Sequence, residues 1–216
     1  MDTIYIDINC DVGEGIGNET ELMPLISSCN IACGGHAGDL ETIAKVASLA
    51  NENGVKVGAH PSYPDMENFG RVTLNISEFD LIRSIRRQMD DFASTLKKEN
   101  IPFNHIKAHG ALYNDISKDS ALAKTFIKSI EGYEDVAMIY VPYGSAIEEE
   151  ALKRGFKVKR EAFADRNYNQ NLNLVSRKLP DAVIYDPEKV LKHVLQMVRE
   201  RYIAQFEGFK VFIKAE

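Results

Sequence analysis

Three of the five histidines follow short apolar runs that are typical of buried β-strands: His36, His60 and His109. Another strand end carries two carboxylates, Asp11 and Glu14. Imidazole nitrogens and carboxylate oxygens bind divalent metals, and the same groups act as general acids and bases. If the strands are parallel, their ends meet at one edge of the sheet. The sequence therefore predicts one site there, able to activate water.

The metal that these groups suit is a divalent cation, and we predict Asp11, His36 and His60 as its ligands. His109 offers a further ligand, and the sequence does not decide which histidines bind the ion. In the alternative interpretation, the histidines fix loops by hydrogen bonds or bind an anionic substrate.

The predicted catalytic residues are Asp11, Glu14, His36, Lys107 and His109. Asp11 and Glu14 can serve as general base and acid if their environments separate their pKa values; otherwise Glu14 caps its loop or forms a surface ion pair. Lys107 precedes His109 by two residues, so their side chains share one face of a strand. A buried lysine needs a counter-charge, and we expect Asp11 or a substrate carboxylate to supply it.

The cysteines do not form a disulfide pattern, since there are only three: Cys10, Cys29 and Cys33. The spacing of Cys29, Cys33 and His36 lacks an evident fourth zinc ligand. Cys33 is near a predicted helix start, which can activate a thiol, but packing as a small hydrophobe is favoured. A reducing cytoplasm fits this usage.

The overall charge is −6, with no basic stripe, which argues against nucleic acid and anionic membranes as partners. We find no signal peptide and no apolar run long enough to span a bilayer. Walker A and Gly-x-Ser-x-Gly sequences are also absent, so a self-sufficient ATPase or a serine hydrolase has little support.

The elements that must position these residues alternate between strands and helices, which predicts a parallel sheet in one α/β domain over residues 1–216. Asp39 and Ser77 are predicted helix caps. Asn167–Pro180 is a long polar segment, predicted to be functional or a lid. Seven strands suit a distorted (β/α) barrel, with an open doubly wound sheet as the alternative. The predicted strands are Ile4–Cys10, Asn30–Cys33, Val55–Ala59, His105–Ala108, Val136–Val141, Val158–Phe163 and Phe209–Lys214.

Six blocks of the chain resemble the LamB/YcsF family, in order and over most of the length. They are Asn9–Glu14, Ser28–Asp39, Gly58–Asp65, Phe69–Arg71, Lys107–Asn114 and Glu161–Tyr168. The resemblance implies a seven-stranded β/α barrel related to the glycoside hydrolase/deacetylase superfamily. It also implies the A subunit of 5-oxoprolinase, which opens 5-oxo-L-proline to L-glutamate with ATP and with B and C partner subunits.

Within these blocks we predict five substrate-binding residues: Asn30, Tyr63, Arg71, Asp165 and Arg166. Arg71 and Arg166 lie in the two longest loops, where either can clamp a carboxylate through two hydrogen bonds. An exposed loop arginine without a ligand is the alternative.

The family usually continues past its last strand into a Cys-x-His-Gly-Asp segment, whereas this chain stops at Glu216. If that segment supplies a site residue, we expect activity to depend on it. Two other functions stay open: a stand-alone metal-dependent amide hydrolase or deacetylase, and a non-catalytic binding subunit, which the missing segment favours.

Overall fold

The computed structural model describes residues 5–204 and 210–212. They belong to two compact units, one within Met1–Val158 and the other within Lys159–Glu216. The expectation of a single domain over 1–216 stays a prediction. The strand ends with the histidines and the paired carboxylates all belong to the first unit.

Strands and helices alternate along the chain, and most lie close to the predicted positions. The elements are β1 (Asn9–Val12), α1 (Glu19–Leu22), a 3-10 turn (Met23–Leu25), β2 (Ser28–Ala32), α2 (Leu40–Glu52), β3 (Lys56–His60), α3 (Glu78–Lys98), β4 (Phe103–Ile106), α4 (Gly110–Ile116), α5 (Ser120–Ser129), β5 (Met138–Pro142), α6 (Ala146–Lys153), β6 (Val158–Glu161), α7 (Pro187–Leu195), a π-helical turn (Gln196–Glu200), β7 (Tyr202–Ala204) and β8 (Lys210–Phe212).

The main sheet has six strands in the order β1-β2-β3-β4-β5-β6. Every neighbouring pair from β1 to β5 is parallel, so the prediction of an α/β fold with a parallel sheet is confirmed. Helices α2 and α3 each bury an apolar stripe, which includes Ile43 and Ala47 in α2 and Ile85 and Phe92 in α3. These stripes have the spacing of an amphipathic helix.

The seventh strand of the predicted barrel is not part of this sheet. Phe209 and the last four residues of the chain lie outside the described residues, and Lys210–Phe212 forms β8. This strand pairs antiparallel with β7 in a separate two-stranded sheet. The prediction of seven strands in the main sheet is thus corrected to six for the described part. Alternating apolar residues indicate that a segment is extended, but they do not show which strand it pairs with. The link to the glycoside hydrolase/deacetylase superfamily stays a prediction.

The first strand starts later than the predicted Ile4–Cys10, and Ile4 itself is outside the described residues. Tyr5, Ile6 and Ile8 are exposed apolar residues, whereas β1 runs from Asn9 to Val12 and pairs with β2. Asp11 is consequently a strand residue, with Asn30 as its partner in the register. This placement turns the side chains of Asn9 and Asp11 to the same face.

The predicted helix caps are confirmed: the Asp39 side chain accepts from the Thr42 amide, and the Ser77 side chain accepts from the Asp80 amide. Helix α4 was not predicted, because it is short and begins at a glycine directly after His109. No helix in the described part of the chain is long and apolar enough to cross a membrane.

Candidate active site

Four side chains from the ends of three strands, β1, β3 and β4, converge at the carboxyl edge of the first unit's strands. Asp11 lies in β1, Glu14 two residues after β1, His60 at the end of β3 and His109 just before α4. One oxygen or nitrogen atom from each lies within 4.8 Å of the corresponding atom of every other member. We call these four residues the donor cluster. The prediction that strand ends gather the reactive residues holds for this set.

The distances inside the donor cluster are short. His109 Nδ1 lies 3.0 Å from His60 Nε2, and His60 Nε2 lies 3.4 Å from Asp11 Oδ1. His109 Nδ1 is also 3.4 Å from Glu14 Oε1. All four polar atoms therefore face one small volume.

The hydrogen bonds of the two histidines define their tautomers. His60 Nδ1 donates to the main-chain carbonyl of Lys107 at 2.7 Å, and His109 Nε2 donates to the carbonyl of Phe69 at 3.0 Å. A carbonyl oxygen can only accept, so these nitrogens carry the hydrogen. In the neutral rings, His60 Nε2 and His109 Nδ1 therefore present lone pairs to the donor cluster.

The two histidines are almost completely buried, with exposures of 1% for His60 and 5% for His109. Burial, together with neighbouring His60 and His36, lowers the pKa of His109 to about 3, so this ring is neutral near pH 7.

The Asp11 carboxylate is the member of the donor cluster that reaches solvent, with a side chain 35% exposed. Burial raises the pKa of Asp11, but His60, Lys107 and a hydrogen bond from Asn30 outweigh it, leaving this pKa well below its usual value. Lys107 is 5% exposed, and its Nζ lies 3.5 Å from Asp11 Oδ1. Of the two counter-charges expected for Lys107, the structure supplies Asp11.

Beneath the donor cluster, Asn30 connects several strands through its amide group. Its Nδ2 donates to Asn9 Oδ1 at 2.7 Å and to Asp11 Oδ1 at 2.8 Å, while its Oδ1 accepts from His105 Nε2 at 2.7 Å. Asn30 thus positions Asp11, and its predicted contact with substrate stays a prediction. Asn9 also accepts from Lys107 Nζ at 2.9 Å.

Gly58 has no side chain, which leaves room for the His105 ring beside Asn30. Gly58 is the register partner of both Asn30 and His105, and a Cβ at Gly58 would lie 2.2 Å from His105 Nε2. His105 fills that space and stacks on Tyr140 with ring centroids 4.0 Å apart. The sequence analysis did not identify Asn9 or Gly58 as site residues. The signals that could have found them were the two-residue spacing of Asn9 and Asp11 and the glycine within a strand.

His36 lies beside the donor cluster and supports two of its members. Its Nε2 donates to Glu14 Oε1 at 2.9 Å, and its ring stacks on His109 with centroids 3.6 Å apart and an angle of 1°. His36 Nδ1 is buried and has no hydrogen-bond partner. The predicted metal ligands Asp11 and His60 belong to the donor cluster, whereas the third predicted ligand, His36, does not; its role as a ligand stays a prediction.

The loop between β3 and α3 closes over the histidines. Phe69 has a left-handed backbone with φ 56°, which directs its carbonyl to His109, and its ring meets the His36 and His109 rings edge-on. Gly70 also has positive φ, and its carbonyl accepts from the Ala111 amide at 2.9 Å. Phe69 is a site residue that the sequence analysis missed, because a carbonyl contact leaves no side-chain signature.

The predicted substrate-binding residues occupy varied positions. Tyr63 is buried and donates to Asp115 Oδ2 at 3.0 Å, while Arg71 is exposed, with its guanidinium 4.8 Å from the centre of the Phe69 ring. Asp165 is an exposed residue of the second unit. Arg166 is buried within that unit and donates to the carbonyls of Ala182 and Val175. Only the bond to Val175 reaches the 167–180 segment. The predicted role of that segment stays a prediction, as does contact of the five residues with a substrate.

The cysteines behave as packing residues. Cys33 is buried, accepts from the His60 amide at 3.2 Å, and burial raises its pKa to about 12. A thiol with that pKa is a poor nucleophile near neutral pH, so Cys33 contributes by positioning His60.

The model of the LamB/YcsF family matches residues 6–216. This chain belongs to the LamB/YcsF family. Two relatives, each named as the A subunit of 5-oxoprolinase, support the assignment. The Symbiobacterium thermophilum protein is 38% identical, over 98% of this chain and 83% of its own length. The Neisseria meningitidis serogroup A protein is 37% identical, over 98% of this chain and 86% of its own length.

The fold of this LamB/YcsF chain is also similar to that of a solved structure. The lactam utilization protein from Thermus thermophilus matches with a TM-score of 0.92 and 34% identity, covering 98% of this chain and 88% of the other. The fold match therefore extends over nearly the whole chain.

Proposed function

We propose that this chain is the A subunit of a 5-oxoprolinase and carries the site that opens the lactam of 5-oxo-L-proline to L-glutamate. The main support is that relatives 37% and 38% identical over 98% of the chain are named as this subunit. The donor cluster agrees with this role, because it combines buried imidazoles with a carboxylate that reaches solvent.

The reaction needs a driving force, since an unstrained lactam amide is stabilised by resonance and resists direct hydrolysis. In the overall change, the ring C–N bond breaks, water supplies oxygen to the new carboxylate, and the ring nitrogen becomes an amine. ATP drives this change by phosphorylating the amide oxygen, which releases ADP. Water then adds to the activated carbon, the ring C–N bond breaks to leave an acyl phosphate, and a second water releases phosphate. Because the chain has no Walker A sequence, we assign ATP binding to the B and C partner subunits, alone or shared with this chain.

The residues in and beside the donor cluster then have separate roles. Asp11 is the group that reaches solvent, so we assign it to orient the attacking water and accept its proton. Lys107, 3.5 Å from Asp11 Oδ1, balances the negative charge of the phosphorylated lactam oxygen. Glu14, His36 and His109 form the buried support, and the three free cysteines suit a reducing cytoplasm.

The test is release of glutamate from 5-oxoproline by the purified chain, with and without ATP and the B and C subunits. We expect release only when ATP and both partners are present. Release by the chain alone, or no release by a correctly assembled complex supplied with ATP, contradicts the proposal. Binding of 5-oxoproline without turnover in that complex indicates a non-catalytic binding subunit.

A second candidate function is a stand-alone metal-dependent amide hydrolase or deacetylase. The mixed imidazole and carboxylate composition of the donor cluster favours it, because such ligand sets activate water without ATP. This function predicts turnover of an acyl-amine by the chain alone, and loss of that turnover after treatment with a chelator.

A further inference from the structure

We propose that Asp11, Glu14, His60 and His109 bind one divalent first-row transition-metal ion. This inference goes beyond the proposed function and does not depend on it, because a metal here is compatible with either hydrolase. It also differs from the ligand set predicted from sequence, since Glu14 and His109 take the place given to His36.

The orientation of the two histidines is the first argument. Each uses one ring nitrogen to donate to a main-chain carbonyl and turns the other nitrogen toward the same point. Histidines that bind metals are commonly held this way, because the outer hydrogen bond fixes both the tautomer and the ring orientation. One buried histidine bonded to a carbonyl is ordinary, whereas two that converge on carboxylates make a prepared site.

The second argument is the electrostatic repulsion between His60 and His109. His60 Nε2 and His109 Nδ1 are 3.0 Å apart, and neutral rings in these tautomers direct two lone pairs at each other. The oxygens Asp11 Oδ1 and Glu14 Oε1, each 3.4 Å from one of these nitrogens, add negative charge. A cation between the four atoms removes this repulsion.

The size of the donor cluster fits a small ion. With metal–ligand distances of about 2.0–2.2 Å, neighbouring ligands of a tetrahedral ion lie roughly 3.3–3.6 Å apart. Three of the six separations, 3.0, 3.4 and 3.4 Å, come close to that spacing, and all six are within 4.8 Å. Two imidazole nitrogens and two carboxylate oxygens suit zinc, manganese, iron or cobalt better than calcium or magnesium, which prefer oxygen alone.

The surroundings provide both support and access. His36 donates to Glu14 Oε1 and stacks on His109, so it orients two ligands without being one. Asp11 is the exposed member, which leaves one side of the ion open to water or substrate, as catalytic metal sites require. Lys107, 3.5 Å from Asp11 Oδ1, is a positive charge that works against the ion, so we expect weaker binding than at a structural zinc site.

The experiment titrates the tag-free, chelator-treated full-length chain with Zn²⁺, Mn²⁺ and Co²⁺. Calorimetry gives affinity and stoichiometry, and the visible spectrum of Co²⁺ reports the coordination geometry. We expect one ion per chain, with binding weakened by well over tenfold in His60→Asn, His109→Asn, Asp11→Asn and Glu14→Gln. Because a residue that orients a metal ligand typically contributes about 10–100-fold in affinity, His36→Asn should weaken binding while leaving the Co²⁺ spectrum unchanged.

The matched control is His193→Asn. His193 is also buried and bonds through Nδ1 to a main-chain carbonyl, that of Ala164, but it is not part of the donor cluster. This variant should bind metal like the wild type, and circular dichroism identifies any variant that fails to fold. If the folded wild-type chain binds none of the three ions, or if the cluster variants bind them as tightly as the control, the proposal is wrong. Neither result depends on turnover, so failure here is distinct from failure of the 5-oxoprolinase role.

Discussion

The charge and position of the Asp11 carboxylate are set by the side chains that contact it. Asn30 Nδ2 donates to its Oδ1 at 2.8 Å, and Lys107 Nζ lies 3.5 Å from the same oxygen. Together with His60, which contributes most, both contacts stabilise the ionised carboxylate and keep the pKa of Asp11 well below its usual value although burial raises it. The residue that we expect to meet water is thus ionised before it accepts a proton, and it is held in one position.

Replacing Asn30 tests this support directly. In Asn30→Ala, Asn9, Asp11 and His105 each lose a hydrogen-bond partner, and Asn30 itself is fully buried. Leaving buried polar groups without partners costs about 1–3 kcal/mol, so we expect the free energy of unfolding in urea to fall by that order.

The control for Asn30→Ala is Asn51→Ala, on the exposed side of α2. A surface change of this kind is expected to alter stability by less than about 0.5 kcal/mol. Equal unfolding midpoints for the two variants would show that the Asn30 network does not stabilise the fold.

At the scale of elements, the β3–α3 loop and helix α4 position His109 together. The Gly70 carbonyl accepts from the Ala111 amide at 2.9 Å, and the Phe69 carbonyl accepts from His109 Nε2 at 3.0 Å. The close approach requires a glycine at the start of α4, because a Cβ on Gly110 would lie 2.4 Å from the Gly70 carbonyl oxygen. The tautomer of His109 therefore depends on how these two elements dock.

Gly110→Ala should separate the loop from α4. Gly110 has φ 58°, so alanine adds backbone strain as well as the clash with Gly70. We expect a loss of stability greater than the roughly 1–2 kcal/mol of left-handed strain alone, together with a fall in glutamate formation by the assembled complex.

The control is Gly54→Ala, which isolates the strain. Gly54 has φ 69°, and a Cβ there would meet nothing within 4 Å. This variant should lose stability through its backbone alone and keep its activity. If Gly110→Ala costs no more stability than Gly54→Ala and stays active, the docking of the loop does not position His109.

Some of these features were predictable from the sequence and others were not, for physical reasons. The helix caps at Asp39 and Ser77 were predicted correctly because a capping side chain acts within its own turn. Asp11 was one of the two counter-charges expected for Lys107, because a buried charge needs an opposite one, and the structure supplies it. Phe69 and α4 were missed, since a main-chain carbonyl contact and a short glycine-initiated helix leave little trace in residue types.

At the scale of the whole chain, the order of strands and helices was enough to predict a parallel α/β sheet. It was not enough to assign the last strand, because β8 pairs with β7 rather than with the main sheet, and strand alternation carries no information about partners. Arg166 donates to two main-chain carbonyls of the second unit, contacts that its residue type did not predict, and its predicted role as a carboxylate clamp stays a prediction. The site residues that the structure does bring together are those at consecutive strand ends.

The central claim is that this LamB/YcsF chain contains the hydrolytic site of a 5-oxoprolinase, and one measurement tests it most directly. Glutamate formation from 5-oxoproline is measured with ATP for complexes in which the B and C subunits are combined with either the Asp11→Asn or the Asp135→Asn variant of this chain. Asp135 is an exposed aspartate outside the donor cluster, so this change matches the chemistry of the other. We predict that Asp11→Asn lowers glutamate formation by about 10²–10⁴-fold while the complex still assembles, and that Asp135→Asn has no effect. Full activity of the Asp11→Asn complex would contradict the account and place the chemistry in another subunit.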